Sequence, residues 1–203
     1  MDQNFTRSVL SWYDAGHRDL PWRHTKDAYR IWISEIMLQQ TRAETVVSYY
    51  ERFLARYPDV RALADAPEEE LLKAWEGLGY YSRARLLQKA AQAIVSQYGG
   101  ELPADLQKLR ALPGVGDYTS GAIASIAFGI PAAAVDGNVE RVICRYFAIS
   151  EEMGSPKSRR MIHELAQSLV PPDRPGAFAN AMMEMGATMC TPKSPSCGTS
   201  TSR

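Results

Sequence analysis

Cysteine is scarce in this chain, with 3 among 203 residues. That excludes a disulfide framework and makes a reducing cytoplasm the expected setting. Neither sign of charge is in excess, since Lys plus Arg and Asp plus Glu both number 23. A histone-like polycation or a disordered acidic tail is therefore excluded as an account of the whole chain, whereas an enzyme with its charges segregated by face is not. Long apolar runs are also missing. The longest uncharged stretch, Tyr118 to Val135, is broken by Gly121, Gly129 and Pro131 and diluted by Ala, Ser and Thr, so it reads as a buried helix and its exit loop, not a membrane span. The start, MDQNFTRSVLSWYD, has neither the basic beginning nor the apolar centre of a secretory signal. No segment alternates with period two, no repeat recurs, and only the polar residues 198–203 lack an apolar partner.

What is present is helical periodicity. Apolar residues recur at helix spacing in Phe5, Val9, Trp12 and Tyr13, in Val46, Tyr49, Tyr50, Phe53 and Leu54, and in Leu86, Leu87, Ala90, Ala91 and Ile94. Pro67 before Glu68-Glu69-Glu70 reads as a first helical turn, with acids favoured by the helix dipole, and Gly99-Gly100 closes the helix that precedes it. About ten short helices follow, an all-α fold.

Three segments carry candidate chemistry. Leu112-Pro113-Gly114-Val115-Gly116 lies between expected helices at 105–111 and 118–128, and two glycines one residue apart allow a tight turn whose backbone N–H groups can approach a phosphate. The ordinary alternative is a helix–helix turn, but the full pattern is that of a helix-hairpin-helix spanning about 105–128. Val135-Asp136-Gly137-Asn138-Val139 opens another apolar run. Asp136 reads as an N-cap, and a carboxylate held there is also in the state needed to face a developing cation. Glu35 sits among Ile31, Trp32 and Leu38 at helical offsets, so its carboxyl should face a dry surface and keep its proton, as a general acid requires. An acid and an ionised carboxylate together resemble the pair used in glycosidic bond cleavage. Read without further context, Tyr80 and Tyr81 are core residues.

Leu112-Pro113-Gly114-Val115-Gly116 followed by Val135-Asp136-Gly137-Asn138-Val139 resembles the helix-hairpin-helix, Gly/Pro-rich-loop, Asp superfamily of DNA glycosylases. Leu20-Pro21-Trp22, the run Ser34-Glu35-Ile36-Met37-Leu38-Gln39-Gln40-Thr41, and Gly77 to Arg85 are similar to MutY-type adenine DNA glycosylases. The resemblance runs from about residue 5 to Cys197. It implies two helical lobes, one of six helices over 28–133 and one made by 1–27 with 134–203. It also implies a monomer that acts on double-stranded DNA containing adenine opposite 8-oxoguanine or guanine, with the base flipped out of the stack. By the same resemblance Glu35 protonates the adenine, Asp136 stabilises the sugar cation, Tyr118 and Asn138 support them, and Gln40 and Tyr80 wedge into the duplex, while Leu112, Gly114, Val115 and Gly116 belong to the DNA clamp. Endonuclease III-like relatives carry a Schiff-base Lys at the position of Tyr118, so Tyr118 implies excision without strand cleavage.

The tail departs from the family pattern. A 4Fe-4S cluster bound through C-x6-C-x2-C-x5-C is implied, but only Cys190 and Cys197 match, Ser200 stands at the third position and the chain ends at Arg203. Two thiolates cannot hold four irons unaided, so the chain reads as a truncated or altered cluster protein. The further domain with which such enzymes read 8-oxoguanine is also missing. Cys144, in an apolar helix, reads as core. Competing readings are a thymine-mismatch or pyrimidine-damage glycosylase of the same superfamily, for which Glu35 is unexpected, and an inactive helix-hairpin-helix DNA-binding module.

Overall fold

The computed structural model describes residues 3–151 and 154–196. Among them there are eleven α-helices, one 3-10 turn and no strand, so the fold is all-α. In chain order these are α1 (Gln3–Ala15), the 3-10 turn Pro21–Arg23, α2 (Ala28–Leu38), α3 (Ala43–Arg56), α4 (Val60–Ala64), α5 (Glu68–Ala74), α6 (Ser82–Tyr98), α7 (Leu106–Arg110), α8 (Asp117–Ile126), α9 (Gly137–Tyr146), α10 (Pro156–Leu169) and α11 (Pro175–Thr188). No helix among the described residues is long and apolar enough to cross a membrane.

Short polar residues set where several helices begin. The side chains of Asp27, Asp59, Asp105, Asp136 and Ser155 accept from the backbone N–H groups of Arg30, Ala62, Lys108, Val139 and Ser158, at 2.8 to 3.1 Å. Each such cap contributes about 1 kcal/mol, which matters for helices as short as α4 and α7. Pro67 falls one position earlier than the sequence suggests. It is the N-cap of α5, so the three glutamates open the helix.

The chain forms two compact units, residues 20–123 and residues 1–19 with 124–203. These divisions fall 8 and 10 residues before the expected ones at 28 and 134. In the 20–123 unit the fully buried side chains include Trp32, Phe53, Leu63, Leu71, Trp75, Leu87, Ile94 and Leu109. Phe53 and Trp75 meet edge to face at 5.7 Å between ring centres. The core of the other unit is made by Phe5, Val9 and Tyr13 of α1, Val139, Val142 and Ile143 of α9, Ile162 and Leu169 of α10, and Phe178, Met182 and Met185 of α11. Cys144 is packed at the margin of this cluster and is only partly buried, since its place on α9 faces the rim.

Helix α11 crosses the start of α9 at Gly186. A Cβ there would lie 2.5 Å from the Cβ of Asn138 and 2.8 Å from its carbonyl oxygen, and one of these obstacles is backbone. Gly186→Ala must therefore push α11 off α9. The expected cost is about 1–3 kcal/mol, read as a lower urea midpoint; an unchanged midpoint would mean that this contact is looser than described.

Candidate active site

Glu35 is in the last turn but one of α2 and is only 3% exposed. A carboxyl at such depth is costly unless it is bonded. The hydroxyl of Tyr118, from the first turn of α8, donates to Glu35 Oε2 in a short hydrogen bond. A second link between the same helices runs from Gln39 Nε2 to Thr119 Oγ1 at 3.4 Å. Tyr118 thus approaches the position expected of the acid, with a phenol that can donate or accept a proton but cannot form an imine.

The segment before α8 is the expected hairpin. Leu112 N–H donates to Leu109 O and Val115 N–H to Leu112 O, both at 3.1 Å, while Ser120 N–H donates to Gly116 O at 2.9 Å as α8 begins. Leu112 and Val115 are buried, so their side chains anchor the loop, and what it offers to solvent is the backbone around the exposed Gly114 and Gly116. Gly114 has φ +73°, and a Cβ on it would sit 2.8 Å from Leu86 Cβ. Only glycine suits both demands.

Gln40 and Tyr80 share an unusual backbone. Both have positive φ, 61° and 47°, without being glycine, a state reserved for positions that the surroundings enforce. Gln40 is exposed, and Tyr80 is 64% and Tyr81 40% exposed. That corrects their reading as core residues: the Gly77–Tyr81 turn leaves the helical stripe, so helical spacing does not apply to them.

In the other unit Asp136 caps α9. Its Oδ1 accepts from Val139 N–H at 2.8 Å and its Oδ2 from Asn138 Nδ2 at 2.9 Å. Arg141 Nη2 donates to Asn138 Oδ1 at 2.8 Å, which fixes the amide with its NH2 toward Asp136. The same guanidinium donates to Gly186 O at 2.7 Å and, through Nε, to Cys190 O at 2.7 Å. Asp136 and Asn138 are both half-buried, leaving the carboxylate bonded but reachable.

Two further charged groups escaped the sequence reading. Glu184 of α11 is 2% exposed and is gripped by Arg18, whose Nε and Nη2 donate to its two oxygens at 2.8 to 3.1 Å. Its helical-offset neighbours Ala181 and Ala187 are apolar but Asn180 and Thr188 are not, a weaker form of the pattern around Glu35. Arg83, discussed below, had no such signal. Burial holds its guanidinium below the ordinary arginine pKa.

The implied iron–sulfur ligands are only partly in view. Cys190 follows α11, and its Sγ accepts from Arg145 Nη1 at 3.3 Å; Cys197 lies outside the described residues. No group of three or more His, Cys, Asp or Glu that could hold a metal occurs among the described residues. Two thiols with Ser200 at the next family position do not fit a four-iron cluster, which takes about four thiolates.

The pattern of the HhH-GPD superfamily of base excision DNA repair proteins matches residues 33–172. The chain belongs to this superfamily. The HhH-GPD match covers the acid, the hairpin and the Asp136 cap together. An adenine DNA glycosylase of Homo sapiens is 49% identical over 95% of this chain, which spans 37% of that protein's length. Among solved structures, a thermostable thymine-DNA glycosylase superposes with a TM-score of 0.89 at 36% identity, covering 97% of this chain and 90% of that one. A trapped endonuclease III–DNA covalent intermediate superposes at 0.80 with 26% identity, covering 96% of this chain and 89% of that one.

Tyr118→Phe deletes one oxygen and the bond to Glu35 while keeping the ring. A loss of about 1–2 kcal/mol in urea unfolding is expected. A midpoint equal to that of the unaltered protein would show that the bond contributes nothing to stability.

Proposed function

We propose that this chain is a monofunctional DNA glycosylase that removes adenine opposite 8-oxoguanine or guanine by hydrolysis of the N-glycosidic bond. The observation that carries this reading is a tyrosine, not a lysine, bonded to a buried carboxyl. An amine at position 118 could attack the sugar and open the strand; a phenol leaves water as the nucleophile.

Adenine supplies the reason for the acid. A purine in DNA carries ring nitrogens with free lone pairs, and protonating one turns the base into a neutral leaving group. Burial disfavours a charged carboxylate, which suits a group that has to bring a proton, and Glu35 takes that role with Tyr118 holding it in place. Asp136 faces the positive charge that develops on the sugar, where a fixed carboxylate is worth more than water. The exposed hairpin backbone at Gly114 and Gly116 binds phosphate, and Gln40 and Tyr80 enter the duplex.

Thymine excision is the second reading, favoured by the likeness to the thermostable thymine-DNA glycosylase. Thymine offers no ring nitrogen with a free lone pair, so it makes poorer use of Glu35. Duplexes with A opposite 8-oxoguanine, A opposite G, or T opposite G, each developed with and without alkali, separate the readings. Cleavage of the two A-containing strands after alkali only is expected. Release of T alone would move the assignment to the second reading, and no release from any duplex would leave a binding module.

Asp136→Asn keeps a good N-cap and removes the charge. Excision should fall by about 10²–10³-fold, with duplex affinity little changed. A folded Asp136→Asn protein that excises at the original rate would remove Asp136 from the chemistry.

A further inference from the structure

We propose that Arg83 is a positioning residue that sets the two duplex-entering turns, those of Gln40 and Tyr80, from a single guanidinium. The proposal rests on the reading of Gln40 and Tyr80 given above. Arg83 lies at the start of α6, and its two terminal nitrogens serve different segments. Nη1 donates to the carbonyls of Ile36, Met37 and Gln39, at 2.8, 3.2 and 2.5 Å. Nη2 donates to the carbonyls of Leu78 and Gly79, at 3.0 and 3.4 Å. Its plane is flanked by Trp75 and Tyr80, each ring centre 5.5 Å from the guanidinium carbon.

The consequences follow from what those carbonyls are. Ile36 and Met37 are in the last turn of α2, where carbonyls have no partner within the helix, so a cation there satisfies them and complements the helix dipole. Gln39 O belongs to the residue just before Gln40, and Gly79 O to the residue just before Tyr80. Each positive-φ residue is therefore held through the carbonyl that precedes it. Trp75 Nε1 adds a bond to Gly79 O at 3.2 Å, which steadies the Tyr80 turn from its other side. A strained conformation persists only when its surroundings over-determine it, and one side chain that spans both turns does that for the pair. Because the α2 end it grips is also the turn that follows Glu35, duplex entry and the acid share one fastening.

A lysine keeps the charge but gathers its donors on one nitrogen at the end of a flexible stem, so it cannot reproduce the two fixed nitrogens that each serve one turn. That makes Arg83→Lys an informative conservative change and Arg83→Gln a severe one. The matched background is Gln40→Gly with Tyr80→Gly, since glycine accepts positive φ and removes only the inserting side chains. The experiment uses a duplex with 2-aminopurine beside an A·G mismatch. Its fluorescence rise reports unstacking whether or not adenine is released, and single-turnover excision is measured on the same samples, well below each variant's melting temperature.

Both Arg83 variants should lose the fluorescence rise and the excision rate together, by roughly tenfold or more, since small misplacements of positioned groups cost up to about 10²-fold. In the Gln40→Gly, Tyr80→Gly background, Arg83→Gln should add little, because the residues act as one unit. Additive losses, or a full fluorescence rise in Arg83→Lys, would overturn the proposal, as would no rise in the unaltered protein. A rise without adenine release would instead sink the adenine reading and leave the role of Arg83 to be decided by fluorescence. Should Arg83→Gln not fold, Arg83→Lys decides.

Discussion

Keeping a carboxyl dry is the constraint around which the 20–123 unit is arranged. Glu35 is reached by the Tyr118 hydroxyl only if the first turn of α8 lies against the last turns of α2. That same first turn follows Gly116, so the hairpin with its exposed backbone is carried to a fixed place by the helix that bonds the acid. Leu112 and Val115 are buried because they anchor this arrangement. The exposed hairpin backbone and the buried carboxyl are thus tied by a few residues of one helix, and packing of the apolar core holds both.

The other unit solves a different problem, how to hold both oxygens of a carboxylate without sealing it. Capping α9 uses one oxygen of Asp136, and the Asn138 amide takes the other. Arg141 then fixes the amide and reaches Gly186 and Cys190 beyond it. The bare Cα of Gly186 is what lets α11 come near enough for this. The atoms that cap α9 are thus the same ones that the proposed chemistry would use.

Much of this was legible in the sequence because the relevant physics is local. The N-cap at Asp136, the helical stripes of α3 and α6, and the apolar neighbours of Glu35 each depend on residues within a turn or two of one another. The exposure of Tyr80 and Tyr81 was not legible from spacing, because positive φ at Tyr80 breaks the stripe. Arg83 at the start of an amphipathic helix resembles any solvated arginine; its five carbonyl partners lie 4 to 47 residues away and come together only on folding. Arg18 is likewise 166 residues from Glu184. Resemblance to the glycosylase family supplied what spacing could not, the expectation that Glu35 and Asp136 act in one reaction.

The most direct test of the account is the single-turnover excision rate of Glu35→Gln on a duplex with A opposite G. The amide keeps the shape and can accept from Tyr118, but it has no proton to give. With the fold intact by circular dichroism, a loss of about 10²–10⁴-fold is expected for a missing general acid. Excision at the rate of the unaltered protein would contradict the central claim that the buried carboxyl donates the proton.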